Sequence, residues 1–500
     1  MPCDCPADQN ARPGGSTVNI RVYNTLTRRK ERFPTPDRGL IGMYVCGPTV
    51  YKPSHVGHMV GPVVFDTIKR FLSYCGYKVK LVINITDIDD KLIIESGKRE
   101  MTVQALASEI TADYLKCLEM LEVKGVDCFP RATDHISEIT DMISGLIKKG
   151  HAYPADGDVY FDVTSDSDYG KLCNRDPEQL EAGARIEISK KKKNPGDFAL
   201  WKAAKPGEPF WPSPWGDGRP GWHIECSAMS MKHLGETIDI HGGGLDLQFP
   251  HHENELAQSE SFTGKPFAKF WLHNGLMKTG EKKMSKSEGN EIVVTSLLRK
   301  HRPEVLRCLL LSTHYRSPIE YTNDRLMEIK KSLGNFYRFF DRYQRITGNS
   351  YYLLPFSNNQ FVSNQDFVEC RNKFLEFLAD DFNTSGALGV LHEILAIVNR
   401  YAEVGKLESS PDKETLATFE QGCKILRELS NILGIFQNES SNENVTDDDI
   451  VGPLIDLLIE MRNEARKNKN FTLADRIRDR LAELRIIIED RSSSSGWRRE

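Results

Sequence analysis

The sequence predicts an α/β protein: a Rossmann-like parallel sheet, an insertion within that sheet, and a helical C-terminal half. Two observations support this class. Ile41–Cys46 and the β-branched run Val79–Ile85 are strand candidates on either side of a helix-like stretch from 57 to 74, which together make a βαβ unit. After about residue 325, apolar residues recur with helical periodicity.

Bulk composition sets the limits of this fold class. Five hundred residues are too many for one ordinary core and indicate three or four domains. A hydrophobic share of 39% and a charged share of 27% are typical of a globular protein that is neither disordered nor membrane-embedded. The net charge of -5 means that any contact with nucleic acid must use local basic surfaces.

Cysteine usage and the absence of sorting signals indicate the cellular compartment. The eleven cysteines are scattered and odd in number, which does not fit a disulfide framework in so long a chain. No run of about 18 apolar residues is present, so no membrane span is predicted. The first twenty residues lack an apolar signal-peptide core. A reducing cytoplasm is therefore the expected location.

The elements follow in order along the chain. A polar lead-in, 1–37, contains the strand candidate Val18–Tyr23, and the insertion contains the strand candidate Asp158–Val163. Later come a strand at Thr237–His241, a glycine-rich turn at Gly242–Gly244, a helix from Pro250 to Phe262 and a strand at Phe270–Leu276. The predicted domains after the lead-in are 38–130 and 216–265 for the two sheet halves, 131–215 for the insertion between them, 266–325 for a connecting region, 326–437 for a helical bundle, 438–449 for a linker and 450–500 for a last domain.

A nucleotide site is predicted where the first strand passes into a helix. Open α/β sheets bind ligands at such strand ends, and the free N–H groups of a helix start favour anions. The segment Pro53–His58 places His55 and His58 around Gly57, so both imidazoles can donate to a phosphate chain close to the backbone. Alone this HxGH pattern is weak, because ordinary capped helices also contain it.

A second segment, KMSKS at 283–287, strengthens the prediction. Mobile lysines on a glycine-flanked loop can close over a triphosphate and neutralise charge that develops as pyrophosphate leaves. The early HxGH and the late KMSKS together resemble the two signatures of class I aminoacyl-tRNA synthetases. The resemblance implies four catalytic residues, His55, His58, Lys283 and Lys286.

Candidate metal ligands lie in three segments that reach the same sheet edge. Cys46 ends the first strand, Cys226 lies in GWHIEC, and His251 and Glu255 are four residues apart and share a helix face. His252 is expected to point elsewhere. A single cysteine at a strand end is normally a packing residue, but three converging segments of zinc's usual ligand types favour a metal site.

Four segments are similar to the cysteinyl-tRNA synthetase family: YVCGPTVY at 44–51, NITDIDDK at 84–91, GWHIEC at 221–226 and FPHHENE at 249–255. The resemblance runs from about residue 18 to GWRR at 496–499. It implies a catalytic sheet domain with a connective insertion, a helical bundle and a small C-terminal anticodon-binding domain. It also implies a cysteine pocket containing Thr86 and Trp222, and one Zn²⁺ per chain held by Cys46, Cys226, His251 and Glu255.

The same resemblance implies an ATP site, with Mg²⁺ accompanying the ATP. The HGGGLD segment at 241–246 is similar to the family's nucleotide-binding turn. Asp246 is a candidate for binding the ribose, and a tight turn with a cap is the alternative. The implied ATP-binding residues are Gly47, His55, His58, Gly243, Asp246 and Lys286.

Zinc would account for the selection of cysteine over serine. Shape alone separates near-isosteric substrates by only about 10². Zinc prefers a soft thiolate to a hydroxyl and lowers the pKa of a thiol that it binds. Selection at the first step needs no editing domain, which agrees with a short insertion.

Two positions depart from the family pattern. Val56 stands where isoleucine is commoner, and this change is expected to be harmless. The segment Met59–Pro62 lacks the arginine that often lies two residues beyond the second histidine, which removes a structural or phosphate contact.

The last fifty residues are the candidate RNA-binding region. Clustered Lys and Arg bind phosphates, and exposed aromatics such as Trp497 can stack on unpaired bases. Acidic residues are almost as numerous, so a salt-bridged helix pair is an equal alternative without the resemblance. The basic residues are Arg462, Arg466, Lys467, Lys469, Arg476, Arg478 and Arg480.

The implied activity is ligation of L-cysteine to tRNA(Cys) through cysteinyl-adenylate, by a monomer that uses ATP and contacts no membrane. Two alternatives stay open: a related ligase that attaches cysteine to an amino sugar, and a non-catalytic zinc-containing tRNA-binding protein. The anticodon-like C-terminal half argues against the first. The KMSKS segment and both signature histidines argue against the second.

Overall fold

The computed structural model describes residues 18–36, 39–174, 191–279, 282–283, 292–356, 364–439, 448–484, 486–490 and 495–499. The chain divides into two compact units, the first made of Met1–Leu298 and Arg302–Glu439, the second of Arg299–His301 and Ser440–Glu500. None of the described helices combines the length and the apolar character needed to cross a membrane.

The first unit contains a mixture of strands and helices. Its described strands are β1 (Arg21–Asn24), β2 (Arg29–Arg32), β3 (Leu40–Val45), β4 (Lys78–Ile83), β5 (Ala152–Ala155), β6 (Asp158–Phe161), β7 (Phe198–Ala203), β8 (Gly218–Pro220), β9 (Ile238–Gly244), β10 (Ala268–Asn274), β11 (Met277–Thr279), β12 (Lys282–Lys283) and β13 (Ile319–Glu320). Its described helices are α1 (Val60–Tyr74), α2 (Asp90–Lys98), α3 (Val103–Met120), α4 (Ile136–Lys148), α5 (Trp222–Leu234), α6 (Glu253–Thr263), α7 (Val294–Leu298), α8 (Pro303–Leu311), α9 (Asn323–Thr347), α10 (Gln365–Ala379), α11 (Thr384–Val404) and α12 (Lys413–Ile432).

A four-stranded parallel sheet of order β10-β9-β3-β4 is the framework for the site. Met43 lies in register with Leu81 on one side and Ile240 on the other, and all three side chains are buried. Because every strand pair in the sheet is parallel, the carboxyl ends of the strands meet at one edge. The prediction of a Rossmann-like parallel sheet is confirmed.

Helix α1 connects β3 to β4 and covers one face of the sheet. Its apolar side chains, among them Val63, Phe65 and Ile68, are almost fully buried. The predicted helix start near residue 57 is a 3₁₀ turn, Val56–Met59, and α1 proper begins at Val60.

The predicted glycine-rich turn at Gly242–Gly244 is wrong, because these residues continue strand β9. They pair with Leu272, His273 and Asn274 of β10. A Cβ at Gly242 would lie 2.1 Å from the Phe65 ring, and one at Gly243 would lie 2.7 Å from the His252 ring. The glycines therefore allow close approach of two aromatic rings to an extended strand.

The insertion contains helix α4 and three strands of a four-stranded antiparallel sheet, β5-β6-β7-β8, whose last strand lies just beyond the predicted boundary at residue 215. The predicted strand Asp158–Val163 is β6 and ends at Phe161, before a 3₁₀ turn at Val163–Ser165. Phe161, Leu200 and Trp201 are buried together with apolar residues of α4.

The helical periodicity predicted after about residue 325 is confirmed by α9 to α12. Capping residues extend them. Thr322 accepts a hydrogen bond from the Arg325 N–H at the start of α9, and Asp412 accepts one from Thr415 at the start of α12. Aromatic side chains such as Phe336, Phe340 and Tyr351 fill the space between helices.

The second unit consists of α13 (Asp448–Lys467), α14 (Phe471–Glu483) and a hairpin of β14 (Ile486–Asp490) and β15 (Ser495–Arg499). Ile455, Ile459 and Leu481 form its small core. The indole of Trp497 packs against this core and donates to the Asp456 carboxylate at 3.0 Å. Of the basic residues proposed for RNA contact, Arg462 is buried within the unit.

A buried ion pair fastens α1 to α8. The Arg307 guanidinium donates to Asp66 at 2.6 Å and to the carbonyls of Leu121 and Leu433 at 2.7 Å each. Asp66 also accepts from Arg70 and from the Gly125 N–H. Both charges are therefore satisfied although they are removed from water.

Replacing Arg307 with methionine should lower the free energy of unfolding by about 3–5 kcal/mol, because two carbonyls and part of a buried carboxylate lose their donor. The matched control is Arg325→Met, which breaks the exposed Arg325–Glu328 pair and should cost about 0–1 kcal/mol. Urea unfolding of both variants measures the difference. Equal losses would contradict the assigned role of the buried pair.

Candidate active site and metal centre

The carboxyl ends of β3 and β4 are joined by a close backbone contact at Gly47. Its N–H donates to Asn84 Oδ1 at 2.8 Å. A Cβ at position 47 would lie 1.8 Å from the Asn84 carbonyl oxygen, so only glycine fits there. This contact leaves backbone accessible at the edge where the sheet is expected to bind its ligands.

His55 and His58 lie just beyond this edge, on the turn that leads into α1. Their rings lie close together and tilted, with centroids 3.7 Å apart and an interplanar angle of 30°. The His58 N–H donates to the His55 carbonyl at 2.9 Å, which fixes the two residues on one tight turn.

The chain that follows the KMSKS segment runs beside these histidines. The Val56 N–H donates to the Ile292 carbonyl, and the Val294 N–H donates to the Ser54 carbonyl, each at 2.9 Å. Lys283 lies in β12, which pairs with β11. Lys286 lies outside the described residues. The structure thus brings the stretch just after KMSKS against the HxGH segment.

Four predicted metal ligands converge in one cluster. The ligand atoms of Cys46, Cys226, His251 and Glu255 all lie within 4.8 Å of one another. Glu255 Oε1 is 3.2 Å from Cys46 Sγ and 3.0 Å from His251 Nε2, and the two sulfurs are 3.8 Å apart. Two thiols, an imidazole and a carboxylate form a donor set that fits zinc.

A second, overlapping set contains Cys46, His241, His252 and Glu255. His252 was expected to point elsewhere, but one of its ring nitrogens belongs to this set, while its Nδ1 contacts His273 Nε2 at 2.8 Å. The two oxygens of Glu255 distinguish the sets. Oε1 faces Cys46 and His251, whereas Oε2 is occupied by His241 Nε2 at 2.8 Å. His241 therefore lies where it can orient the Glu255 carboxylate toward a metal held by the first set.

The cluster attracts positive charge. Burial works to lower the pKa of His251, but Glu255 and Cys226 outweigh it and raise that pKa to about 10. Burial works to raise the pKa of Glu255, but His241 and His251 hold it well below its ordinary value. A cation that binds here takes the place of a proton on the imidazole, so metal binding and protonation compete.

The two residues predicted for the amino-acid pocket flank the cluster. The Trp222 ring stacks on His251 with centroids 4.2 Å apart and is 36% exposed, so it borders the open side. Thr86 is buried, and its hydroxyl donates to Glu225 Oε2 at 2.9 Å. Asp246 follows β9 on a 3₁₀ turn and is exposed.

Three residues that the sequence analysis did not single out complete the surroundings. Glu225 is fully buried beside Thr86, and burial raises its pKa well above the ordinary value. His223 Nδ1 contacts His251 Nδ1 at 2.8 Å, and His241 contacts Glu255. All three belong to the GWHIEC and HGGGLD segments, so their closeness in sequence to candidate ligands could have indicated that they lie at the site.

Residues 33–364 match the family model described as tRNA synthetases class I (C) catalytic domain. A cysteine–tRNA ligase of Carboxydothermus hydrogenoformans is 45% identical over 482 residues, 96% of this chain and 100% of the relative. The chain belongs to the cysteinyl-tRNA synthetase family. A cysteine–tRNA ligase of Thermococcus onnurineus is 43% identical, with 96% and 99% covered.

The C-terminal half of this family member matches two further models. Residues 373–437 match a DALR domain, and residues 452–498 match a cysteinyl-tRNA ligase anticodon binding domain. Among solved structures, a Mycobacterium tuberculosis methionyl-tRNA synthetase with methionyl-adenylate has a TM-score of 0.60 at 15% identity. That likeness covers 79% of this chain and 90% of the other, and it shows the shared fold alone.

The two ligand sets make different predictions for metal content. If Cys226 and His251 bind the metal, Cys226→Ser should remove most of the zinc from purified protein, whereas His252→Gln should retain it. His241→Ala should weaken zinc affinity about 10–100-fold, because the Glu255 carboxylate loses its orienting donor. Metal analysis measures the zinc content of each variant, and competition with a chelator measures its zinc affinity. Loss of zinc from the His252 variant alone would favour the second set.

Proposed function

We propose that this chain ligates L-cysteine to tRNA(Cys) in two steps that consume ATP. The observation that carries the proposal is the thiol–imidazole–carboxylate cluster, in which Cys46 follows β3, the strand whose carboxyl end leads into the HxGH turn. Family membership and the matched anticodon binding domain support it. A site that can hold a thiol substrate therefore adjoins a site suited to a nucleotide.

In the first step, the cysteine carboxylate attacks the α-phosphate of ATP, and pyrophosphate leaves. His55 and His58, on the turn that precedes α1, donate to the phosphates, and Lys283 and Lys286 neutralise the charge that develops. Gly47 and Gly243 would contact the nucleotide through their backbone, Asp246 binds its ribose, and Mg²⁺ accompanies the phosphates. Catalysis consists of positioning and electrostatics, with no covalent protein nucleophile.

The metal cluster selects the amino acid. Cys46, Cys226, His251 and Glu255 would hold one zinc ion, which when bound favours a soft thiolate over the serine hydroxyl. Trp222 borders the pocket, and Thr86 is oriented by Glu225 on its inner side. These side chains position the substrate so that its carboxylate faces the nucleotide.

In the second step, the adenylate transfers cysteine to the terminal adenosine of tRNA(Cys). The second unit reads the anticodon, consistent with its matched family model. The amino-sugar ligase is the weaker candidate, because such an enzyme needs no anticodon binding domain. We further propose that the protein acts as a monomer in the cytoplasm.

Labelled cysteine should charge total tRNA, whereas labelled serine should charge it at least about 10²-fold less efficiently. The assay measures acid-precipitable label with each amino acid at equal concentration. If cysteine-dependent pyrophosphate exchange occurs but no tRNA is charged, the acceptor of the activated cysteine is a molecule other than tRNA. Equal charging by serine would contradict selection by the metal cluster.

His58→Ala should lower the rate of cysteine-dependent pyrophosphate exchange by about 10²–10³, because one donor to the transferring phosphates is lost. Its affinity for tRNA should not change. The control is His151→Ala, which removes a histidine in the insertion that contacts Ser165. An unchanged exchange rate in the His58 variant would remove that residue from the mechanism.

A further inference from the structure

A second group of thiol and imidazole side chains lies away from the metal cluster. Cys128 Sγ is 4.0 Å from His233 Nδ1, and His233 Nε2 is 3.0 Å from His135 Nε2. The backbone of Cys128 forms an isolated β-bridge with Val82 of β4, and His233 lies in the last turn of α5. The proposed ligation reaction uses none of the three side chains.

When each ring carries one proton, the hydrogen-bond chain determines where those protons lie. His135 Nδ1 is 2.7 Å from the Arg131 carbonyl oxygen, which can only accept, so this nitrogen carries a proton. In the neutral ring His135 Nε2 is then an acceptor, and His233 Nε2 must donate to it. His233 Nδ1 therefore has a free lone pair directed at the Cys128 thiol. Cys128, His233 and His135 are thus arranged as a nucleophile, a base and a group that orients the base.

The surroundings keep His233 in the neutral form that a base requires. Burial lowers its pKa, and His135, Lys80 and Lys232 lower it further, against the opposing effect of Glu138. The residue is only partly buried and lines a cavity of about 320 Å³ at the amino ends of the parallel strands. Cys128 does not line this cavity, but it is itself only partly buried, so we expect small reagents to reach it.

We propose that Cys128 is a modification site, a nucleophilic thiol assisted by His233 that reacts with small electrophiles and with hydroperoxides. With a hydroperoxide, the sulfur attacks one oxygen as the O–O bond breaks. The sulfur is oxidised to a sulfenic acid, and the thiol proton passes through His233 Nδ1 to the leaving oxygen, which departs as water or an alcohol.

The chain offers a matched comparison in Cys173. Both thiols are partly buried, but the Cys173 thiol donates to the Gly170 carbonyl at 3.5 Å. A carbonyl oxygen accepts a hydrogen bond without removing the proton, so this contact does not generate thiolate. A difference in rate between the two thiols therefore reports on the imidazole partner.

The test uses the full-length native chain and needs no knowledge of a natural modifier. Iodoacetamide is added for timed intervals, and the alkylation of each cysteine is followed by peptide mass spectrometry. Cys128 should react about tenfold faster than Cys173, and His233→Gln should abolish this advantage while leaving the Cys173 rate unchanged. Hydrogen peroxide with dimedone should label Cys128 in the native chain.

Two results would overturn the proposal. Equal alkylation rates of Cys128 and Cys173 in the unsubstituted chain would show that the imidazole confers no reactivity, and this comparison requires no variant to fold. An unchanged Cys128 rate in a folded His233→Gln protein would exclude the base role. The unchanged Cys173 rate is the check that the variant is folded.

Discussion

The buried carboxylate of Glu255 is the interaction on which the site depends. A carboxylate removed from water costs several kcal/mol unless its oxygens are satisfied by good partners. Here Oε2 accepts from His241 on β9, while Oε1 faces Cys46 at the end of β3 and His251 just before α6. One side chain thus holds two neighbouring strands and a helix start in a fixed relation, and leaves one oxygen directed into the cluster.

Glycines make this arrangement sterically feasible. Gly47 lets the ends of β3 and β4 approach, and Gly242 and Gly243 let Phe65 and His252 lie directly on strand β9. The absence of side chains at these positions allows backbone and aromatic rings to pack directly against the strand ends. A substitution at any of the three would therefore disturb the packing of the sheet around the metal cluster.

The sequence was sufficient for the parts of the site that short motifs encode. The Rossmann-like sheet followed from the βαβ pattern, and the cluster of Cys46, Cys226, His251 and Glu255 followed from motifs that reach one sheet edge. The strand at Gly242–Gly244 was wrongly predicted as a turn, because glycine has a low strand propensity. Glycine is required at these positions by tertiary contacts with aromatic rings, which the sequence does not show. The partners Glu225 and His241 were missed, because a motif does not show which side chains turn inward.

Two cysteines with different surroundings lie at opposite ends of helix α5. Its first turns carry Trp222 and Cys226, and its last turn carries His233, which faces Cys128. At Cys226 the neighbouring acceptors are a second thiol and a carboxylate-held imidazole, a set that stabilises a cation and retains thiolate as a ligand. At Cys128 the thiol faces the His233 imidazole, which can accept its proton, and neither of the metal-ligand clusters found among the described residues includes this cysteine. The two cysteines near α5 thus differ in chemistry because of the group that each sulfur faces.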